Sequence, residues 1–100
     1  MAVKKEFECC LIENPRVVGY VKDGKPIVRV LVRVIESDTV YPVTGFRGIA
    51  ESMIEHLRKG DTVRVWGELR KSNFIDKNSG TERRGIEIVA DDIEFVGGGE

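Results

Sequence analysis

The sequence is poor in the residues that most often perform catalysis or bind metals. Its 100 residues include one histidine and two cysteines. His56 stands among Glu55 and Arg58 in a segment that predicts a helix, where a solvated imidazole is the ordinary case. Cys9 and Cys10 are adjacent, and neighbours in a strand point to opposite faces, so they do not readily share a disulfide or a metal. We therefore expect no enzyme, no metal and no cofactor, with one thiol in the core and one at the surface.

The sequence also lacks long apolar runs and an excess of either charge. No apolar run approaches the ~20 residues that a membrane helix needs, and the start of the chain has no apolar segment typical of secretion. We expect a cytoplasmic protein with one domain over residues 1–96 and a flexible end over residues 97–100. The net charge of −1 excludes binding to nucleic acid by overall charge alone. A basic face balanced by an acidic one remains open.

Over several short segments the sequence alternates between apolar and polar residues, which predicts β-strands. The clearest run spans residues 25–36, whose even-numbered valines share one face while Arg29, Leu31 and Arg33 share the other. Asp23-Gly24 before it is typical of a hairpin turn. The predicted strands are, in chain order, 6–13, which Asn14-Pro15 ends, then 25–36, 39–46, 61–69 and 86–96. A segment over 17–21 would extend the sheet, and a polar hairpin over 73–85 lies between the last two strands.

One helix interrupts these strands. Ile49, Met53 and Leu57 recur every four residues, which predicts a helix with one apolar stripe. Gly60 follows two cations and is placed like a C-terminal glycine cap. Five short strands with one helix between the third and the fourth predict an all-β OB-fold, a five-stranded Greek-key barrel that typically binds oligonucleotides or oligosaccharides. The helix would close the floor of the barrel.

Three motifs stand in order along nearly the whole chain. The first is Leu11, Asn14-Pro15 and Tyr20, followed by Gly24-Lys25-Pro26-Ile27. The second is Phe46, two residues, Ile49-Ala50-Glu51 and then Arg58-Lys59-Gly60-Asp61. The third is EIVADDIEFV, residues 87–96. In these motifs and their spacing the chain resembles the bacterial single-stranded DNA-binding protein family. The resemblance implies an OB-fold that binds single-stranded DNA.

The chain departs from that family at several points. Relatives usually carry a tryptophan near the end of the second strand and another in the third, where this chain has Ser37-Asp38 and Val40-Tyr41. A basic residue common after the third-strand aromatic is shifted, with Gly48 near its place and Arg47 beside it. The acidic, phenylalanine-ended tail by which relatives recruit partner proteins is absent from these residues.

The resemblance implies a binding surface of aromatic rings for stacking bases and cations for phosphates. Phe46 stands where relatives have a stacking aromatic, and Phe74 where they have a stacking tryptophan. For each of these phenylalanines the alternative is burial in the core. Tyr41 is a further stacking candidate. The candidate phosphate contacts, each of which could instead be a solvated surface charge, are Arg29, Arg33, Arg47, Arg70, Lys71, Arg83 and Arg84.

Arg64 and Trp66 point outward together on the fourth strand, whose outer face in relatives helps to build the tetramer. We expect both in the interface of a homodimer or homotetramer, with DNA contact or simple surface packing of Trp66 as the alternatives. The predicted function is non-sequence-specific binding of single-stranded DNA in replication, recombination or repair, in association with the nucleoid. The second hypothesis is an OB-fold adaptor of a replication or primosome assembly with weak nucleic-acid binding. Primosomal replication protein N, a dimeric relative in the family that the chain resembles, lies between the two hypotheses. RNA is the third ligand hypothesis.

Overall fold

The computed structural model describes residues 5–75 and 82–98, without the side chains of residues 72–84. Each strand region predicted from the sequence is present, and the differences concern where strands begin and end. In chain order the elements are β1 (Lys5–Leu11), β2 (Arg16–Tyr20), β3 (Pro26–Val34), β4 (Thr39–Phe46), α1 (Arg47–His56), β5 (Thr62–Ile75) and β6 (Glu82–Gly97).

The core follows from the alternation along the strands. Val28, Val30 and Val32 on β3 are at most 1% exposed, whereas Arg29 between them is only half-buried. β-Branched side chains are stiff and pack well on a pleated surface, so valine at every second position favours a strand. The buried apolar residues form one cluster: Cys9, Leu11, Val28, Val30, Val32, Val34, Val43, Ala50, Met53, Leu57, Val63, Val65, Ile88 and Ala90.

The strands close into a barrel. Hydrogen-bonded neighbours follow the order β1-β5-β6-β4-β3-β2, and β1 also pairs with β3. That extra pairing closes a ring made of β1, β3, β4, β5 and β6. β4 and β6 run parallel, and the other pairs are antiparallel. A closed ring with one helix between β4 and β5 is the OB architecture that the sequence predicts.

The segment predicted to extend the sheet over 17–21 forms the strand β2. β1 ends at Leu11, and the chain then passes through Asn14-Pro15, where proline offers no amide hydrogen to a ladder. β2 pairs with β3 outside the ring, so the extension predicted over 17–21 is a separate edge strand. The following turn matches the Asp-Gly signal: Val21 N–H donates to Lys25 O at 2.9 Å, with Gly24 at φ 85°.

α1 packs across one end of the barrel, as the apolar stripe predicts. Ala50 and Met53 are buried against the core. Gly45, at the end of β4, leaves the room that this packing needs. A Cβ on Gly45 would lie 2.6 Å from Met53 Sδ and 3.0 Å from Ile49 Cγ2.

The predicted glycine cap of the helix is wrong. α1 ends at His56, four residues before Gly60. Gly60 lies instead in the next turn, where Asp61 N–H donates to Arg58 O at 3.0 Å and Gly60 takes φ 93°. A positive φ at the third residue of a turn is typical of type II, which accounts for the glycine without a cap.

β5 and β6 are longer than the sequence predicts and form a two-stranded ribbon. β5 continues to Ile75, which pairs with Glu82, so both arms of the predicted polar hairpin are strand. At the other end, Gly97 pairs with Thr62 and belongs to β6 rather than to a flexible end. Residues 99–100 lie outside the described part of the chain.

Candidate nucleic-acid interface

The outer face of β3 and β4 mixes apolar and cationic side chains in register. Residues directly opposite each other in an antiparallel pair share a face. Phe46 and Val40, at the two ends of this face, are 40% and 49% exposed. We call the face the β3–β4 strip; its cross-strand pairs are Ile27/Phe46, Arg29/Thr44, Leu31/Pro42 and Arg33/Val40.

Arg29 is held at the middle of the strip by Thr44 and Glu87. Arg29 Nε donates to Thr44 Oγ1 at 3.2 Å, and the Thr44 hydroxyl donates to Glu87 Oε1 at 2.6 Å. Arg29 Nη2 lies 3.6 Å from the same carboxylate oxygen. The Arg29 side chain nevertheless keeps 37% of its exposure. A guanidinium has five N–H donors, more than these contacts use, so a phosphate can still be bound.

The contacts of Arg29 belong to a row of polar side chains that crosses the barrel. Arg16 on β2 is opposite Arg29, and Arg70 on β5 is opposite Glu87 on β6. The Thr44–Glu87 hydrogen bond joins the two halves between β4 and β6. We call this row, Arg16–Arg29–Thr44–Glu87–Arg70, the central row. It places one carboxylate among three arginines.

Phe46 and Arg47 mark the passage from β4 into α1. Phe46 keeps an extended backbone, with φ −119° and ψ 146°, and remains in register with Ile27 on the outer face. Arg47 takes φ 56°, an uncommon value for a residue with a Cβ. Its Nη2 lies 3.7 Å from Asp23 Oδ2, in the turn between β2 and β3. The strip therefore ends in an aromatic ring followed directly by a cation.

The candidate arginines lie close to carboxylates. Each of the four whose side chains are described has a carboxylate oxygen within 3.7 Å. Three of them remain more than half exposed, so water screens their ion pairs strongly. A phosphate can therefore replace Asp38 and Asp23 at little cost, because both partners of those two pairs are more than half exposed, whereas Glu68 beside Arg70 is 18% exposed. The pairs are Arg29–Glu87, Arg33–Asp38, Arg47–Asp23 and Arg70–Glu68.

The structure does not bring two predicted residues to the strip. Tyr41 is opposite Val32 on the inner face of the barrel and packs against the core, because the alternation along β4 turns it inward. Lys71 is opposite Ile86 and lies on the other face of the β5–β6 ribbon from Arg70.

Three further predicted residues lie in the β5–β6 ribbon. Phe74, Arg83 and Arg84 belong to these strands, and the backbone register sets Phe74 opposite Arg83 and Arg84 opposite Asn73. Their side chains lie outside the described part of the chain. Their predicted contacts with DNA stay predictions.

Arg64 and Trp66 lie elsewhere on the barrel, on the outer face of β1, β5 and β6. The Trp66 indole N–H donates to Glu6 Oε1 at 3.1 Å. Arg64 lies 3.5 Å from Glu6 Oε2 and 3.0 Å from Glu94 Oε1. Both side chains are half-buried by these neighbours. In register the surface is acidic on both sides of β5: Glu6 and Glu8 on β1, and Asp92 and Glu94 on β6.

The cysteines lie in different environments. Cys9 is buried in the core, and Cys10 is half-buried. Burial raises the pKa of the Cys9 thiol to about 12, and the neighbouring Cys10 and Glu8 add to the rise. Among the residues that the structure describes, no group of three or more His, Cys, Asp or Glu is arranged to hold a metal ion. Within the same residues, no helix has the length and apolar character needed to span a bilayer.

Comparison with known proteins shows the family. The profile of the Single-strand binding protein family matches residues 14–96. The chain belongs to this family. One curated relative, Single-stranded DNA-binding protein 1 of Xylella fastidiosa (strain 9a5c), is 34% identical over 92 residues, covering 80% of this chain and 67% of that protein. The resemblance stated from the sequence motifs is confirmed.

A solved structure of the single-strand binding family shows the same fold. The crystal structure of an SSB domain from Synechococcus sp. matches with a TM-score of 0.73 and 18% sequence identity, covering 94% of each chain. At that identity the likeness shows the fold alone. The predicted OB-fold is thereby confirmed, and the function must be argued from the site.

Sequence reasoning found part of this site and missed its centre. Arg29, Arg33 and Phe46 were predicted and share the strip. Thr44 is two positions before Phe46 on β4, so alternation alone predicts that both lie on the same face. Glu87 could not be predicted, because only the parallel pairing of β4 with β6 brings it to Thr44, across 43 positions of sequence.

Proposed function

We propose that this single-strand binding family member binds single-stranded DNA without sequence specificity, in replication, recombination or repair. One observation carries the proposal: the exposed ring of Phe46 lies on the same outer face as Arg29 and Arg33. The unpaired bases of single-stranded DNA can stack on an aromatic ring, and its phosphates bind cations. This sheet face offers both. The Xylella fastidiosa relative is named a single-stranded DNA-binding protein, which supports the same activity.

The apolar residues of the strip receive the bases. Stacking on an aromatic side chain is worth ~1–3 kcal/mol per base and accepts any base, because every base has a flat face. Phe46 offers such a ring, and Ile27, Leu31 and Pro42 surround the arginines with further apolar surface. The bases of a duplex are already stacked and paired, so they cannot take these places. Single strands are therefore preferred.

Arginines on the strip and directly beyond its Phe46 end receive the phosphates. Arg33 and Arg47 exchange their exposed carboxylate partners for phosphate, because each such ion pair contributes at most ~1 kcal/mol. From Val40 to Phe46 the strip is about 20 Å long, which suits the ~4 nucleotides at the low end for one OB-fold. The proposal extends this track onto the ribbon through Arg70, Phe74 and Arg84.

Self-association is the second part of the proposal. We place Arg64 and Trp66 in the interface of a homodimer or homotetramer, since a half-buried indole on an outer sheet face gains from further burial. A two-fold contact there would set Glu6, Asp92 and Glu94 against the same carboxylates of the second copy. Association should therefore strengthen with salt, which screens that repulsion. Sedimentation equilibrium at rising salt measures it.

An adaptor with weak nucleic-acid binding is the second candidate function. It is favoured by one observation: Phe46 is the one aromatic residue on the outer face of β3 and β4, both fully described. With a single stacking ring on the strip, the affinity of one barrel for DNA could be too low to act alone.

Fluorescence anisotropy separates these candidates. A labelled oligo-dT strand is compared with a duplex of the same length, and with oligo-U, at low and at moderate salt. The proposed function predicts binding to oligo-dT alone that survives moderate salt, because stacking does not depend on counterion release. Weak binding to both strand and duplex that vanishes with salt would favour the adaptor, and a preference for oligo-U would favour RNA.

A further inference from the structure

Glu87 is an unusual residue for a surface that binds a polyanion. It lies in the central row between Arg29 and Arg70, and its side chain is 16% exposed. The buried hydroxyl of Thr44 donates to it at 2.6 Å. A carboxylate with this burial and this hydrogen bond is held in place, in the middle of the face that the proposed function assigns to DNA.

Two of the other carboxylates beside the arginines are more exposed than Glu87, whereas Glu68, beside Arg70, is 18% exposed and belongs to β5 rather than to the Thr44–Arg29 contacts. Asp38, beside Arg33, keeps 82% of its side-chain exposure, and Asp23, beside Arg47, keeps 51%. Both stand outside the ring, next to or within turns, and can swing into water when a phosphate arrives. Glu87 lies within β6 and accepts a hydrogen bond from the Thr44 hydroxyl, so its carboxylate cannot move away from an approaching phosphate.

We propose that Glu87 is a specificity-determining residue that makes this face reject double-stranded DNA. The inference rests on the proposed function, since it concerns how the same face chooses between nucleic acids. A flexible single strand can lay its bases over the middle of the strip and carry its phosphates at the ends, near Arg33 and Arg47. A duplex carries one charge per ~1.7 Å of its axis on a stiff helix, so it cannot keep its phosphates away from Glu87.

The size of the effect follows from Coulomb's law. One fixed charge about 7 Å from a phosphate lowers affinity about threefold in a water-like dielectric, and two phosphates at that distance lower it about tenfold. Arg29 offsets part of this repulsion for a phosphate at the outer edge of its guanidinium. It does so for one phosphate at a time, whereas a rigid duplex brings several phosphates near Glu87 together.

Substitution Glu87→Gln removes the negative charge but preserves the hydrogen bond from Thr44 and the packing. The glutamine oxygen can still accept the Thr44 hydroxyl, and the side-chain volume is nearly unchanged. Glu94→Gln is the matched control, because Glu94 lies on the same strand and pairs with an arginine, Arg64, at 3.0 Å, away from the strip. Any effect of Glu94→Gln on self-association acts on both ligands alike and leaves their ratio unchanged.

The experiment measures the affinities of the full chain for oligo-dT and for a duplex of equal length by anisotropy. Glu87→Gln should raise the duplex affinity about tenfold and the oligo-dT affinity at most about threefold. The ratio of the two affinities then falls, while Glu94→Gln preserves it. An unchanged ratio in Glu87→Gln, or equal gains for both ligands, overturns the inference and leaves the proposed function standing. If the unaltered protein binds no oligo-dT, the proposed function and this inference both fail.

A second variant covers the case in which Glu87→Gln does not fold. Arg29→Gln removes the cation that offsets Glu87 and keeps the carboxylate. The duplex affinity should then fall by more than the oligo-dT affinity, so that selectivity for the single strand rises. Equal losses for both ligands would show that Glu87 does not discriminate between them.

Discussion

Arg47 Nη2 lies 3.7 Å from Asp23 Oδ2, so the first residue of α1 is joined to the turn between β2 and β3. The same arginine holds a left-handed backbone, with φ 56°. Such a conformation costs a residue with a Cβ roughly 1–2 kcal/mol. It directs the guanidinium toward the turn while Phe46, one residue earlier, stays on the outer face of β4.

Substitutions at Arg47 separate its backbone strain from its charge. Arg47→Gly and Arg47→Ala both remove the cation, but glycine adopts a positive φ without a Cβ clash. We expect the free energy of unfolding, measured with urea, to be about 1 kcal/mol higher for Arg47→Gly than for Arg47→Ala. Both variants should lose oligo-dT affinity equally, with a salt slope lower by about one. Equal stability of the two variants would show that the left-handed conformation carries no strain.

Gly45 is required by the packing of α1 on the barrel. In Gly45→Ala the new Cβ would lie 2.6 Å from Met53 Sδ, so the helix must shift. We expect the free energy of unfolding to fall by about 1–3 kcal/mol, the usual cost of overpacking a core. Gly48→Ala is the control: a Cβ there meets nothing within 4 Å, and alanine favours a helix over glycine by about 1 kcal/mol. A destabilised Gly48→Ala would contradict this account of the helix.

Phe46 should contribute to binding far more than to folding. Phe46→Leu keeps an apolar side chain but removes the flat ring, so oligo-dT affinity should fall about tenfold. Because the ring is 40% exposed, the free energy of unfolding should change by less than about 1 kcal/mol. Phe95→Leu is the matched control, since Phe95 is 52% exposed beside α1 and away from the strip. Equal losses of affinity in both variants would remove Phe46 from the site.

Cys9 makes stability depend on pH on the alkaline side. Its pKa is raised from 9.0 to about 12 in the folded protein, so the unfolded chain loses this proton first. The stabilising contribution is complete below pH 9.0 and is lost as the pH rises toward 12, with a slope of up to about 1.4 kcal/mol per pH unit. Urea unfolding below and above pH 9 should show a steeper decline for the unaltered protein than for Cys9→Ala. Equal slopes would mean that Cys9 titrates normally.

The fold was predictable because each strand carries its own pattern. The valines of β3 alternate without interruption, and residues 49–57 have a separate helical period, so the order of elements follows from local sequence. Boundaries were harder. Gly60 resembles a helix cap in sequence, and only the turn that returns the chain to β1, through Gly60 N–H donating to Leu11 O at 2.9 Å, shows its role.

The sequence predicts a residue's place in the candidate site only where the alternation within a single strand determines the face on which that residue lies. Arg29 and Arg33 share a face by their spacing alone. Tyr41 and Phe46 are five positions apart on β4, and residues an odd number of positions apart on a strand lie on opposite faces. The alternation therefore excludes Tyr41 from the face of Phe46, and its predicted place beside Phe46 did not follow from it. Glu87 joins the site through the pairing of β4 with β6, which depends on closure of the whole barrel.

A nitrogen-15 NMR titration with oligo-dT shows which residues the DNA contacts. We expect shifts in the backbone amides of β3 and β4 and in the side-chain Nε signals of Arg29 and Arg33. The indole signal of Trp66, which donates to Glu6 on the outer face of β1 and β5, should stay in place while the oligomeric state is constant. Shifts confined to Trp66 and β1, with the strip unchanged, would show that the strip does not bind DNA.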